Sequence, residues 1–180
     1  MLVLVLVQPD LDEGTRAALR SMIASDVGER NNLGYPAARI CADFIATAAV
    51  KHWPINPLWF AHGIVAIGAR ETAWRNLRQQ GGNGRGYLQV DPSSGTVLTD
   101  EQAMDPCTNI DAGAAILASA LGEFYPNTHA GFARYNCGRA GILKGLAAGN
   151  VDLHTTGGNY GAYVLRRLAE IDPNPEKSTP

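Results

Sequence analysis

The sequence predicts a mainly helical domain with one small β element, and three observations carry that prediction. Alanine is abundant and runs of β-branched residues are few, which favours helix. Apolar residues recur at helical spacing through most of the chain, with Asn-Pro, Asp-Pro and Gly breaks between segments. Residues 79–99 stand apart as a glycine-rich stretch with strand-like alternation. With 180 residues, 46% hydrophobic and 18% charged, the chain can bury a core and reads as one globular domain. The expected organisation is a single domain over 1–180. Within it, 1–56 is an N-terminal helical part, 57–171 carries the candidate chemistry, and 172–180 is a frayed tail.

Met1-Leu2-Val3-Leu4-Val5-Leu6-Val7 is too short for a membrane span, which needs about 20 apolar residues. It also lacks the basic segment and cleavage site of a signal peptide, so a short buried segment or strand is expected. Residues 10–25 read as the first helix, capped by Asp10 or Asp12, with Ala17, Leu19, Met22 and Ile23 on its apolar side. Residues 28–36 read as a loop, broken by Asn31-Asn32 and Gly34-Tyr35-Pro36. A second helix is expected over 37–51, where Ile40, Cys41, Phe44, Ile45 and Ala48 follow helical spacing. Asn56-Pro57 suits an N-cap followed by proline at the first helical position. The helix it opens carries Trp59, Phe60, Ile64 and Ile67 and is expected to end near Glu71 or Trp74.

Within 79–99, Asn83-Gly84 signals a hairpin turn and Tyr87-Leu88-Gln89-Val90 a short strand, so a small two- or three-stranded sheet is expected. Asp105-Pro106 opens a helix through about residue 122. Residues 130–135 are helical up to Asn136-Cys137-Gly138, a short helix follows over 141–148, and 160–171 is the last.

Several function classes are disfavoured. Net charge is −2 and no Lys/Arg run exists, which argues against nucleic acid as a partner. Cysteines 41, 107 and 137 are odd in number and lack CxxC spacing, so no obligatory disulfide framework is expected; one disulfide plus a free thiol stays open. Histidines 52, 62, 129 and 154 are scattered without ligand spacing, so no metal site and no cofactor are expected. No heptad or repeated apolar surface is present, and a monomer is expected.

The candidate chemistry begins at Glu71. On a helix, Ile64, Ile67, Gly68 and Glu71 share a face, which sets a carboxylate at the end of an apolar stripe. Loss of solvation raises the pKa of such a group, and an acid still protonated near neutral pH can donate a proton to a glycosidic oxygen. The plainer alternative is a surface ion pair with Arg75 at i+4. Asp91 offers a second carboxylate; its plainer alternative is a turn cap ahead of Pro92-Ser93-Ser94-Gly95.

Five motifs occur in order over about 57–171. Arg70-Glu71-Thr72 resembles the catalytic "RES" or "ES" segment of the goose-type lysozyme and lytic transglycosylase superfamily. Gly84-Arg85-Gly86-Tyr87-Leu88-Gln89-Val90-Asp91 resembles that family's "GxGLMQVD" segment, and Asn109-Ile110-Asp111-Ala112-Gly113 its "NIxxGxxyL" helix. Ala133-Arg134-Tyr135-Asn136-Cys137-Gly138 resembles "AYNAG", and the helix from Tyr160 resembles the final helix with its substrate-facing tyrosine.

The resemblance implies an α+β lysozyme-like fold: a helical bundle around a catalytic helix, with a small hairpin lining a substrate cleft. It implies cleavage of the β-1,4 bond between N-acetylmuramic acid and N-acetylglucosamine in peptidoglycan, with Glu71 as general acid. Gln89 and Asn136 would hydrogen-bond the sugars. Tyr87, Tyr135 and Tyr160 would offer ring faces and hydroxyls, or else pack in the core. Asp91 falls where goose-type lysozymes have one of two aspartates; the other position is Gln80, left as a substrate-binding candidate.

An inverting hydrolase needs a carboxylate that activates water, whereas a lytic transglycosylase lets the sugar's own 6-hydroxyl attack and leaves a 1,6-anhydro product. The hairpin ending in Val90-Asp91 favours the hydrolase, a muramidase with Asp91 as base. The alternatives are the transglycosylase and an inactive wall-binding or virion structural protein. Without a signal peptide, the expected origin is a phage endolysin made in host cytoplasm, or a lytic part of the phage particle, acting on the wall.

Overall fold

The structure, a computed structural model, describes residues 13–31, 35–93 and 97–171. Seven α-helices make up most of it: α1 (Glu13–Asn31), α2 (Tyr35–His52), α3 (Pro57–Glu71), α4 (Asp100–Met104), α5 (Pro106–Phe124), α6 (Thr128–Ala147) and α7 (Tyr160–Ile171). The chain is mainly helical, as its alanine content and apolar spacing predict. The segment 1–7 lies outside the described residues.

Helix α3 is the centre. Asn56 caps it, with Oδ1 accepting from Trp59 N at 3.1 Å, and Pro57 occupies the first turn. Trp59 through Gly68 are all buried, the mark of a helix packed on every side. α1, α2, α5 and α7 all contact it. Trp53 stacks on Phe60 at 5.6 Å and Trp59 leans on Phe132 at 5.7 Å, which fixes its first two turns. A single buried cluster runs from Ile23 on α1 to Leu168 on α7. At the solvent edge of that packing, Lys51 and His52 both reach Asp111, tying α2 to α5.

Helix boundaries differ from expectation where local signals were outvoted. α1 runs through Gly28 to Asn31. A glycine inside a helix costs about 1 kcal/mol relative to alanine, which packing along α2 outweighs. α4 was not expected, although Thr99 and Gln102 spell a capping box that the structure forms in full. α6 contains the predicted interruption: Gly138, at φ 69° and ψ 174°, breaks its backbone between two helical halves.

The expected small sheet is absent among the described residues. The segment 77–91 holds only two isolated antiparallel bridges, Arg78 with Arg85 and Arg85 with Val90. The residues expected as a strand instead form a tight turn closed by reciprocal bonds between Arg85 and Val90, both 3.0 Å. Gly86 (φ 72°) and Gln89 (φ 49°) adopt left-handed backbone within it. The buried side chain of Asn109 on α5 does the pairing a neighbouring strand would do. It accepts from Leu88 N at 3.0 Å and donates to Arg85 O and Ala103 O at 2.8 Å. A Cβ on Gly86 would lie 2.3 Å from that amide, so only glycine fits.

Among the described residues, no helix is long and apolar enough to cross a membrane. No group of three His, Cys, Asp or Glu side chains there could hold a metal ion. Cys41, Cys107 and Cys137 are all free thiols.

Candidate active site

Glu71 is the last residue of α3, and the way the helix stops sets its position. Ala73 (φ 50°) and Trp74 (φ 57°) are consecutive non-glycine residues in left-handed backbone, a costly arrangement that surrounding packing must hold. Trp74 folds back under the helix, wholly buried, and its Nε1 donates to Val65 O at 3.2 Å. The ring fits because residue 68 is glycine; a Cβ there would sit 2.5 Å from it. Thr72 ties the same corner to the turn segment by donating from Oγ1 to Tyr87 O at 2.8 Å. The helix ends before Arg75, whose Nε donates to Thr72 O rather than forming an i+4 pair on the helix.

A cleft of about 760 Å³ opens above Glu71. The turn segment contributes Gln79, Asn83, Gln89 and Asp91; α5 contributes Ala115, Ile116 and Ser119; α6 contributes Arg134, Tyr135, Asn136 and Arg139; and Thr156 closes one side. Glu71 is half-buried there, and the Tyr160 hydroxyl donates to its Oε1 at 2.6 Å. Burial pushes the Glu71 carboxyl pKa above its ordinary value. The Tyr160 hydroxyl, the Asn136 amide and the Arg70 charge pull it back only in part. Asn136 is aimed by its own Oδ1, which accepts from Thr156 N at 2.7 Å. Tyr135 and Tyr160 are held well above the usual phenol range, by burial first and by the Glu71 charge second, so both remain O–H donors. Tyr135 donates to Leu88 O at 2.8 Å, pinning the turn segment against α6.

Asp91 lines the cleft and also caps its own turn: Oδ1 accepts from Ser93 N at 2.8 Å and from Ser93 Oγ at 2.7 Å. Gln89 lines the cleft while its Nε2 donates to Leu77 O and Gly86 O, so its amide N–H groups hold the turn. Three candidates do not line the cleft. Tyr87 packs on Trp74 at 5.8 Å with its hydroxyl against Cys41, and burial pushes its pKa up to about 12. Gln80 is exposed and does not line the cleft. Gln79, held by the bond from its N to Gly84 O, lines the cleft instead, and its Oε1 accepts from Gly84 N at 3.1 Å. Tyr160 is 1% exposed, so it offers Glu71 a hydroxyl rather than offering a sugar its ring.

Arg70 acts in a way that nothing in the sequence signals beyond its place in a motif. Its guanidinium donates to Thr156 O at 3.2 Å and to Asn159 Oδ1 at 2.9 Å, and lies 5.0 Å above the Tyr163 ring. It therefore braces the entry to α7 that delivers Tyr160. A second brace lies behind it. Asp152 accepts from His129 Nε2, Gly161 N and Ala162 N at 2.7–3.1 Å. Burial alone would raise the Asp152 pKa; those donors outweigh burial and hold it below the ordinary value.

The arrangement supplies a carboxylic acid with a raised pKa at the floor of an open polar cleft, with a hydroxyl to stabilise its ionised form. Residues 61–149 match the family model described as Transglycosylase SLT domain, a little under half of the chain. The match supports a peptidoglycan-cleaving enzyme of the lysozyme-like kind. No curated protein matches the chain.

Proposed function

We propose that the protein is a peptidoglycan lytic transglycosylase that cleaves the β-1,4 bond between N-acetylmuramic acid and N-acetylglucosamine. One observation carries the reading: Glu71 combines a raised pKa with a hydroxyl donor at 2.6 Å inside the cleft. Its proton passes to the glycosidic oxygen as the bond from that oxygen to C1 of the muramoyl sugar breaks. The Tyr160 hydroxyl and the Asn136 amide stabilise the carboxylate left behind. That carboxylate then takes the proton from the 6-hydroxyl of the same sugar as its oxygen bonds C1. A 1,6-anhydro end forms and Glu71 regains its proton, so one carboxyl group serves both steps. The SLT match adds weight to this choice over hydrolysis.

Hydrolysis by a muramidase mechanism is the second reading, favoured by Asp91, which lines the same cleft. Against it, Asp91 Oδ1 already accepts two hydrogen bonds from Ser93. Release of soluble sugar from purified peptidoglycan separates the two. Glu71→Gln is expected to lose roughly 10²–10⁴-fold in rate, while Asp91→Asn keeps most of its activity. A loss at Asp91→Asn as large as at Glu71→Gln would transfer the second step to Asp91 and water.

A further inference from the structure

The α6 wall of the cleft carries charge that a neutral sugar chain does not call for. Arg134 and Arg139 both line the cleft and share one carboxylate, Glu123, at 2.9 Å and 2.5 Å. Glu123 is not among the residues lining the cleft. Two guanidinium groups therefore face one carboxylate, and the wall keeps a net positive charge. The Arg139 side chain is 65% exposed, while Arg134 is largely covered. Gly138, with its extended ψ of 174°, breaks the helix immediately before Arg139. Asn136, which bonds Glu71, lies between the two arginines in sequence, and all four residues line the same cleft.

In peptidoglycan the sugars joined by the scissile bond carry no free carboxylate once the stem is attached; the peptide stems on the muramoyl residues do. A guanidinium fork matches a carboxylate in shape and charge. We propose that Arg139, backed by Arg134, forms a carboxylate subsite on the α6 wall that recognises the peptide stems, which makes stem-bearing glycan the preferred substrate. The inference rests on the reading of the cleft as a peptidoglycan site. Glu123 then acts as an internal counter-ion that competes with the stem for the same two guanidinium groups.

The test is binding to acid-extracted sacculi, in which the stems are the source of anions. One batch is left native. In another, carbodiimide and ammonia convert the stem carboxylates to amides of nearly equal size. Full-length Glu71→Gln protein serves as the non-cleaving probe. It is expected to bind native sacculi roughly fivefold more tightly than amidated ones, the scale of an exposed charge pair. Adding Arg139→Gln should remove most of that difference, and adding Glu123→Gln should widen it. Opposite signs for those two changes are what an ordinary structural ion pair would not produce. Equal binding to both batches overturns the inference, and so does a fall with Glu123→Gln that matches Arg139→Gln. Native protein is assayed for sugar release on the same sacculi. Carboxylate-dependent binding without release would defeat the enzymatic reading and leave the stem subsite standing.

Discussion

Glu71 illustrates how a residue's chemistry follows from the address its neighbours give it. The apolar stripe Ile64, Ile67, Gly68 announces a carboxyl group with reduced solvation, and burial does raise its pKa. What the sequence could not announce is the hydroxyl that meets it, because Tyr160 lies 89 residues further along the chain. A general acid works in its protonated form, so kcat/KM should fall as pH rises through the Glu71 pKa. Tyr160 donates to the ionised form and lowers that pKa. Tyr160→Phe should therefore move the alkaline limb to higher pH and reduce kcat roughly tenfold, the scale of a hydrogen bond to a charged group; a pH–rate profile of the two proteins checks both effects. The same shift has a stability sign. A carboxyl group with a raised folded pKa destabilises the fold once pH exceeds its unfolded pKa. Glu71→Gln should thus raise Tm at neutral pH, and the gain should vanish below the ordinary carboxylate range, as thermal melts across pH would show.

Among elements, the end of α3 decides the site. Gly68 reads in the sequence as one more small residue on an apolar face, but its role is steric: the Trp74 ring occupies the place of its Cβ. Gly68→Ala should cost about 1–3 kcal/mol through overpacking and should lower activity by displacing Glu71. Chemical denaturation with a parallel activity assay measures both. Asp152 joins α6 to α7 in the same fashion, through three donors on one buried carboxylate. Its folded pKa is depressed, so its contribution is present above the ordinary carboxylate range and is lost as pH falls through the folded value. Asp152→Asn should cost about 2 kcal/mol at neutral pH, with the deficit shrinking in acid, which denaturation at two pH values would reveal. The turn segment shows the opposite limit of legibility. Alternation in Tyr87-Leu88-Gln89-Val90 suggested a strand, yet Asn109 and Gly86 impose a turn, so Tyr87 faces the core and Gln79 replaces Gln80 at the cleft. Side-chain alternation has a period of two, and a local change of register exchanges the faces.

For the whole molecule, helix order apart from α4 was legible because the longer helices announce themselves by apolar spacing and by a break or cap. Asn56-Pro57, Asp105-Pro106 and Gly138 fall at the helix starts and the interruption they signal. The long-range joins were not legible, since Arg70 to Asn159 and Lys51 to Asp111 depend on which helices lie side by side. The fold brings Glu71, Asp91, Gln89, Tyr135 and Asn136 to one cleft from three separate parts of the chain. In the proposed mechanism this cleft breaks the glycan with a single acid, Glu71, and hands the bond to the sugar's own hydroxyl. Mass spectrometry of the muropeptides released from purified peptidoglycan tests it most directly. Products ending in 1,6-anhydro-muramic acid, lighter by one water than the reducing form, are expected, present with Asp91→Asn and absent with Glu71→Gln. Products with a reducing muramic acid end, abolished by Asp91→Asn, would contradict it.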